Sequence, residues 1–155
     1  RLTKELLAWF TQSRLAPVLV LHINHANEID DEMTAKLQPF KLAGVTLLNQ
    51  AVLLKGVNDS VDAQVNLSEA LFRAGVLPYY LHLLDKVQGA AHFDIPEQQA
   101  RAIMAGIIRR LPGYLVPKLV REIGNQPGKT PLDLHLHPDS GKSGDLSGES
   151  IDSRA

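Results

Sequence analysis

The sequence contains no cysteine. That absence excludes disulfides, thiolate zinc sites, a catalytic thiol and a cysteine-ligated iron–sulfur cluster within the chain. Neither sign of charge is in excess: 16 Lys and Arg face 17 Asp and Glu, for a net charge of -1. No global field therefore favours nucleic acid or an anionic membrane as partner. No apolar run reaches the roughly 18 residues that a transmembrane helix needs. Arg1-Leu2-Thr3-Lys4-Glu5 is followed by no signal-peptide core, and the chain has no initiator Met. The expectation is a piece of a longer, cytoplasmic protein.

What is present is ordinary for a globular protein. The 155 residues are 45% hydrophobic and 21% charged, enough for one domain with a sizeable core. Three apolar runs rich in branched residues read as strands buried on both faces: Val18 to Ile23, Val45 to Leu54 and Leu77 to Leu84. Between and around them lie helical patterns. Leu2, Leu6, Leu7 and Phe10 suit a short amphipathic helix. Asp30 to Ala43 places Met33, Leu37 and Phe40 inward, with Pro39 expected to weaken or kink it and Gly44 to end it. Asn58-Asp59-Ser60 offers caps for a helix through Ala74, with Val61, Val65, Leu71 and Phe72 as core residues and Gly75 as terminator. Pro96 opens the clearest helix, whose Ala100, Ile103, Met104, Ile107, Ile108 and Leu111 form one apolar face.

Alternation of buried strands with helices predicts β-α-β units and a parallel sheet. A full eight-unit barrel takes about 250 residues, so this chain supplies part of one at most. Val116 to Val120 and Leu132 to Leu136 are shorter extended candidates. From Pro138 the Ser-, Gly- and Asp-rich tail is expected to be disordered.

In parallel α/β folds function collects at the carboxyl ends of the strands. His22, Asn24, His25 and Glu28 follow the first strand. They match no metal-ligand spacing and read as polar groups around a pocket or as a satisfied network. Gln50 interrupts an apolar strand, and burying its amide unpartnered would cost roughly 1–3 kcal/mol, so it bonds a neighbouring segment or faces a ligand. Asp85, at the end of the third strand, suits either a cationic substrate or a cap. Glu122 alone reads as a surface carboxylate. Gly124 and Gly128 are one residue too close for a nucleotide-binding P-loop. Lys129 instead follows a constrained Gly/Pro loop. Taken alone it reads as an exposed loop lysine, although a partly desolvated lysine can condense with an aldehyde.

Five ordered segments go further: His22-Ile23-Asn24-His25-Ala26-Asn27-Glu28, Leu48 to Asp59, Pro78-Tyr79-Tyr80-Leu81-His82, Gly113 to Pro117, and Gly128-Lys129-Thr130-Pro131. Together they resemble the lysine 2,3-aminomutase family over roughly Val18 to Leu136. Asp85 to Phe93 and Leu115 to Gly124 are similar to the branch that makes (R)-β-lysine for elongation factor P. The resemblance implies the C-terminal half of a partial (β/α)6 barrel over residues 1–112, a cofactor-lysine segment over 113–137, and the tail over 138–155. It implies a radical S-adenosylmethionine isomerase that also uses pyridoxal phosphate, carried on Lys129. Asp85 and Glu122 would bind the substrate L-lysine, and His22, Asn24 and Gln50 would surround S-adenosylmethionine. The 4Fe-4S cluster would be held by a CxxxCxxC loop in a missing N-terminal half, so the chain alone is expected to be inactive. Clostridial-type members carry Asp where this chain has Glu122. The readings from other classes are a non-catalytic interaction module on the same fold and an unrelated α/β enzyme. A homo-oligomer remains compatible with all three.

Overall fold

Helices begin here where a side chain satisfies an amide that the helix leaves unpaired. Thr3 Oγ1 accepts from the Leu6 amide at 3.2 Å, Asp30 Oδ1 from Met33 at 2.7 Å and Ser60 Oγ from Ala63 at 3.1 Å. In the computed structural model, which describes residues 2–84, 94–122, 128–132 and 134, these caps open α1 (Lys4–Gln12), α2 (Asp31–Leu42) and α3 (Val61–Arg73). The fourth helix, α4 (Glu97–Arg110), opens behind Pro96, which has no amide to satisfy. Past the ends of α2 and α3, Gly44 and Gly75 take φ of 78° and 82°, a region open to glycine.

The strands are β1 (Val18–His22), β2 (Thr46–Leu53), β3 (Leu77–Leu83), β4 (Lys118–Glu122) and β5 (Lys129–Pro131). They form one sheet in chain order. β1 to β4 run parallel, as the alternation of strands and helices predicts, and β5 pairs antiparallel with β4. Within β2, Leu47, Asn49, Ala51 and Leu53 are buried while Leu48, Gln50 and Val52 are only partly so. One face is therefore covered by helices, and the other is open. Register extends the covered face to Leu81, Leu83 and Leu119, which join Leu37, Val65, Leu71, Met104 and Ile107 in the core. The open face carries Val18, Val20 and His22, then Leu48, Gln50 and Val52, then Tyr80 and His82, then Lys118 and Val120.

The register of β2 on β3 slips between Asn49 and Gln50. Asn49 lies beside Pro78, but Gln50 lies beside Tyr80, so Tyr79 is one extra residue in β3.

Several expectations need correction. Strand β1 is buried on one face only, which leaves Val18 50% and Val20 37% exposed, whereas Val120 on the same side of β4 is fully buried. Phe72 lies on the solvent side of α3, 48% exposed, where its ring sits 5.7 Å from that of Tyr114. Ile108 is likewise 40% exposed. The last described strand is Lys129–Pro131, and the Leu132 amide beyond it bonds the Leu119 carbonyl at 3.0 Å; most of the extended segment expected at Leu132 to Leu136 lies outside the described residues. The tail from Pro138 lies outside the described residues.

Candidate functional site

Because β1 to β4 are parallel, their carboxyl ends share one edge of the sheet, and that edge is built by asparagines. Asn49, 2% exposed, accepts from the Ile23 amide and donates to the Ile23 carbonyl, both at 2.9 Å, and so continues the pairing of β1 by one residue. Asn24 Oδ1 accepts from the Val52 amide at 2.8 Å. Asn58, 1% exposed, accepts from the Leu54 amide at 2.7 Å and donates to the carbonyls of Asn24 and Val52 at 2.8 and 2.9 Å. Gln64 in turn donates to the Asn58 carbonyl at 2.9 Å. Every one of these bonds ties the end of β1 to the end of β2 or fixes the turn behind them.

The group of four polar residues after β1 divides between two jobs. His25 Nδ1 accepts from the Asn27 amide at 3.2 Å, and Glu28 Oε1 accepts from the Asn24 and His25 amides at 2.8 and 2.9 Å. Both cap the short 3-10 turn Ala26–Glu28. His22 belongs instead to the open face. Its Nε2 lies 2.8 Å from Gln50 Nε2, and Gln50 Oε1 lies 3.3 Å from His82 Nε2. The Gln50 amide thus joins imidazoles from β1 and β3, and the His82 ring meets Tyr80 edge-on with centroids 5.9 Å apart. Among the described residues no three His, Asp or Glu side chains come together as a metal site.

Lys129 pairs in register with Glu122, and Pro131 with Val120. Directly opposed residues of an antiparallel pair share a face, so the Lys129 and Glu122 positions fall on the open side, at the carboxyl edge. Lys129 is half-buried in a strand, not on a free loop. Nearby, the Tyr79 hydroxyl donates to that of Tyr80 at 2.9 Å over rings 3.8 Å apart. That hydrogen bond raises the Tyr79 phenol above its ordinary range, while Lys118 and Lys129 pull it down. Asp85 lies outside the described residues, as does the side chain of Glu122. The expected convergence of Asp85, Glu122 and Lys129 therefore has one described part, the pairing of β4 with β5.

Asn49 and His82 lie at strand positions that the sequence marks for chemistry, but it gives them no partners, and it offers Asn58 only as a cap. His82 lies two residues beyond Tyr80 in a strand that faces Gln50, and only the register reveals that. Asn49 stands beside Gln50 in the same apolar run.

The chain is 56% identical over 136 residues to the L-lysine 2,3-aminomutase of Escherichia coli, a match that takes in 88% of this chain. It is 52% identical over 130 residues to that of Haemophilus influenzae, and 39% over 133 residues to that of Clostridium subterminale. The chain belongs, by homology, to the lysine 2,3-aminomutase family. No protein-family model matches it. The chain spans about 40% of the length of the E. coli relative and 32% of the clostridial one, in their C-terminal part. No described helix is long and apolar enough to cross a membrane.

Proposed function

We propose that this chain is the C-terminal half of a partial (β/α)6 barrel in an enzyme that converts L-lysine to (R)-β-lysine for the modification of elongation factor P. One observation carries the reading. A chain 56% identical to an L-lysine 2,3-aminomutase pairs Lys129 with Glu122 at the carboxyl edge of its sheet, on the side that bears His22 and Gln50. Residues 1–112 form the barrel portion, 113–137 the lysine-bearing segment and 138–155 a tail outside both.

The residues fit the cofactors that this family implies. Strand pairing limits where the backbone of Lys129 can move, which suits a lysine that must hold pyridoxal phosphate at one place. When bound, that group supplies a conjugated ring able to stabilise a substrate radical. Glu122 and Asp85 offer carboxylates for the two ammonium groups of free L-lysine. His22 and Gln50 present ring and amide nitrogens to S-adenosylmethionine. Asn24, whose side-chain oxygen is engaged by Val52, shapes the wall. The 4Fe-4S cluster would be bound by the remainder of the protein, because this chain has no cysteine. That remainder is also the partner expected for the open face, and the chain alone is inactive for want of it.

The test is made on the full-length protein. It should take up pyridoxal phosphate, and borohydride reduction followed by peptide mapping should leave the label on Lys129. Lys129→Ala should abolish the label and the conversion of lysine while cluster assembly survives. A label on Lys118 or Lys142 would refute the assignment. An unrelated domain in place of a cysteine-bearing half would make the chain an interaction module instead.

A further inference from the structure

The His22–Gln50–His82 contacts have a direction. A primary amide has one donor end and one acceptor end. Gln50 turns its NH2 toward His22 Nε2, at 2.8 Å, so that ring nitrogen must be the acceptor and the His22 proton must sit on Nδ1. Gln50 turns its oxygen toward His82 Nε2, at 3.3 Å, so His82 must carry its proton there. The His82 ring is itself held by Tyr80, 5.9 Å away and edge-on. With both rings in these tautomers, rotating the amide by half a turn would set N–H against N–H at His82 and oxygen against a lone pair at His22. The amide and the two tautomers therefore hold one another in one arrangement, with His82 as its β3 end.

We propose that His82 is a positioning residue: it locks the Gln50 amide, and through it the His22 tautomer, in the arrangement that receives S-adenosylmethionine. This rests on the reading of the site given above. His82 acts through Gln50 and is not assigned a contact with the ligand. Replacing it by an apolar ring frees the amide to rotate and leaves His22 in both tautomers. Losing one hydrogen bond between neutral groups corresponds to a change of about three- to tenfold in an equilibrium constant.

The experiment uses the full-length protein with its cluster reconstituted. Dissociation constants for S-adenosylmethionine are measured by calorimetry for the parent, His82→Phe and His82→Gln. Pyridoxal phosphate uptake and ring-nitrogen NMR shifts of His22 are followed in parallel. We expect His82→Phe to weaken S-adenosylmethionine about three- to tenfold, to leave pyridoxal phosphate uptake unchanged and to move His22 from the Nδ1–H form to a mixture. His82→Gln, which can still donate to the Gln50 oxygen, should recover most of the affinity. Unchanged affinity in His82→Phe would overturn the proposal, as would equal losses of both cofactors, which signal a folding defect. If the parent itself fails to bind S-adenosylmethionine, the functional reading falls. An unaltered His22 tautomer in His82→Phe overturns the role of His82 whether or not the ligand binds.

Discussion

Asn58→Ala is the substitution with the most to disclose about how the carboxyl edge is held. Asn58 is 1% exposed, and its side chain makes three hydrogen bonds: one accepted from the Leu54 amide and two donated, to the Asn24 and Val52 carbonyls. Alanine removes all three and leaves one backbone amide and two carbonyls to find water. Each net bond contributes about 0.5–1.5 kcal/mol, and water entering at the edge recovers part of the loss, so we expect destabilisation of about 2–4 kcal/mol. Urea unfolding followed by circular dichroism measures it, with the slope checked for constancy. Asn58→Asp is the informative companion. It keeps the acceptor for Leu54 but loses both donors, and it sets a buried charge beside two carbonyl oxygens. It should therefore be at least as damaging as alanine near neutral pH and recover on acidification, as the carboxyl takes up its proton and regains a donor. A loss below about 0.5 kcal/mol for Asn58→Ala would show that the edge is held by strand pairing and apolar packing alone, and the account of the asparagine clamp would fall.

Other perturbations have equally definite outcomes. A Cβ added at Gly106 would stand 2.4 Å from Val61 Cγ2, so Gly106→Ala should cost about 1–3 kcal/mol and be largely relieved by Val61→Ala in the same chain, read from unfolding midpoints. The Glu97 carboxyl is held below its ordinary value of 4.5, first by the hydrogen bond from Arg101 and then by the charges of Arg101 and Arg121. A depressed folded value contributes stability above the unfolded one that is lost as pH falls through the folded one. Glu97→Gln should therefore flatten the stability profile at and below about pH 4.5 and leave its slope near neutrality unchanged. Val20 is 37% exposed on the edge strand β1, so the isolated chain should self-associate in light scattering and Val20→Lys should reduce it; a monodisperse parent at high concentration would count against an open edge that needs covering.

Much of the fold was legible because it rests on short-range rules. Branched apolar runs marked β1 to β3, and Ser60, Gly44 and Gly75 marked helix ends through capping and positive φ. Failures came where periodicity cannot tell the helix face toward the sheet from its shoulder. Phe72 and Ile108 follow the apolar spacing of α3 and α4, yet both lie outside the contact. The site was legible as composition and not as connection. Gln50 stood out as a polar residue in an apolar strand, but its partners lie 28 and 32 residues away and depend on strand register. The asparagine clamp was hidden for the same reason: Asn58 looked like a cap, whereas Ser60 caps α3 and Asn58 joins two strands.

The extra residue in β3 works as a frameshift in the sheet. Leu48 lies beside Leu77 before it, and Gln50 beside Tyr80 after it. Were Tyr79 to keep its place in an unbulged strand, the alternation set by Leu77 would carry Leu81 and Leu83 onto the open side and turn His82 into the core. The single insertion thus lets one strand obey two phases. Its first residues keep step with the amino end of β2, and its last ones bring an imidazole to the open face while two leucines stay under the helices. Deleting Tyr79 would remove the bulge and leave Leu81, His82 and Leu83 on the faces they already occupy, because Tyr80 would still meet Gln50. A relative that lost the extra residue would keep the same order of polar and apolar residues from Leu81 to Leu83, whereas one that kept it in an unbulged strand would have to invert that order to keep the same core.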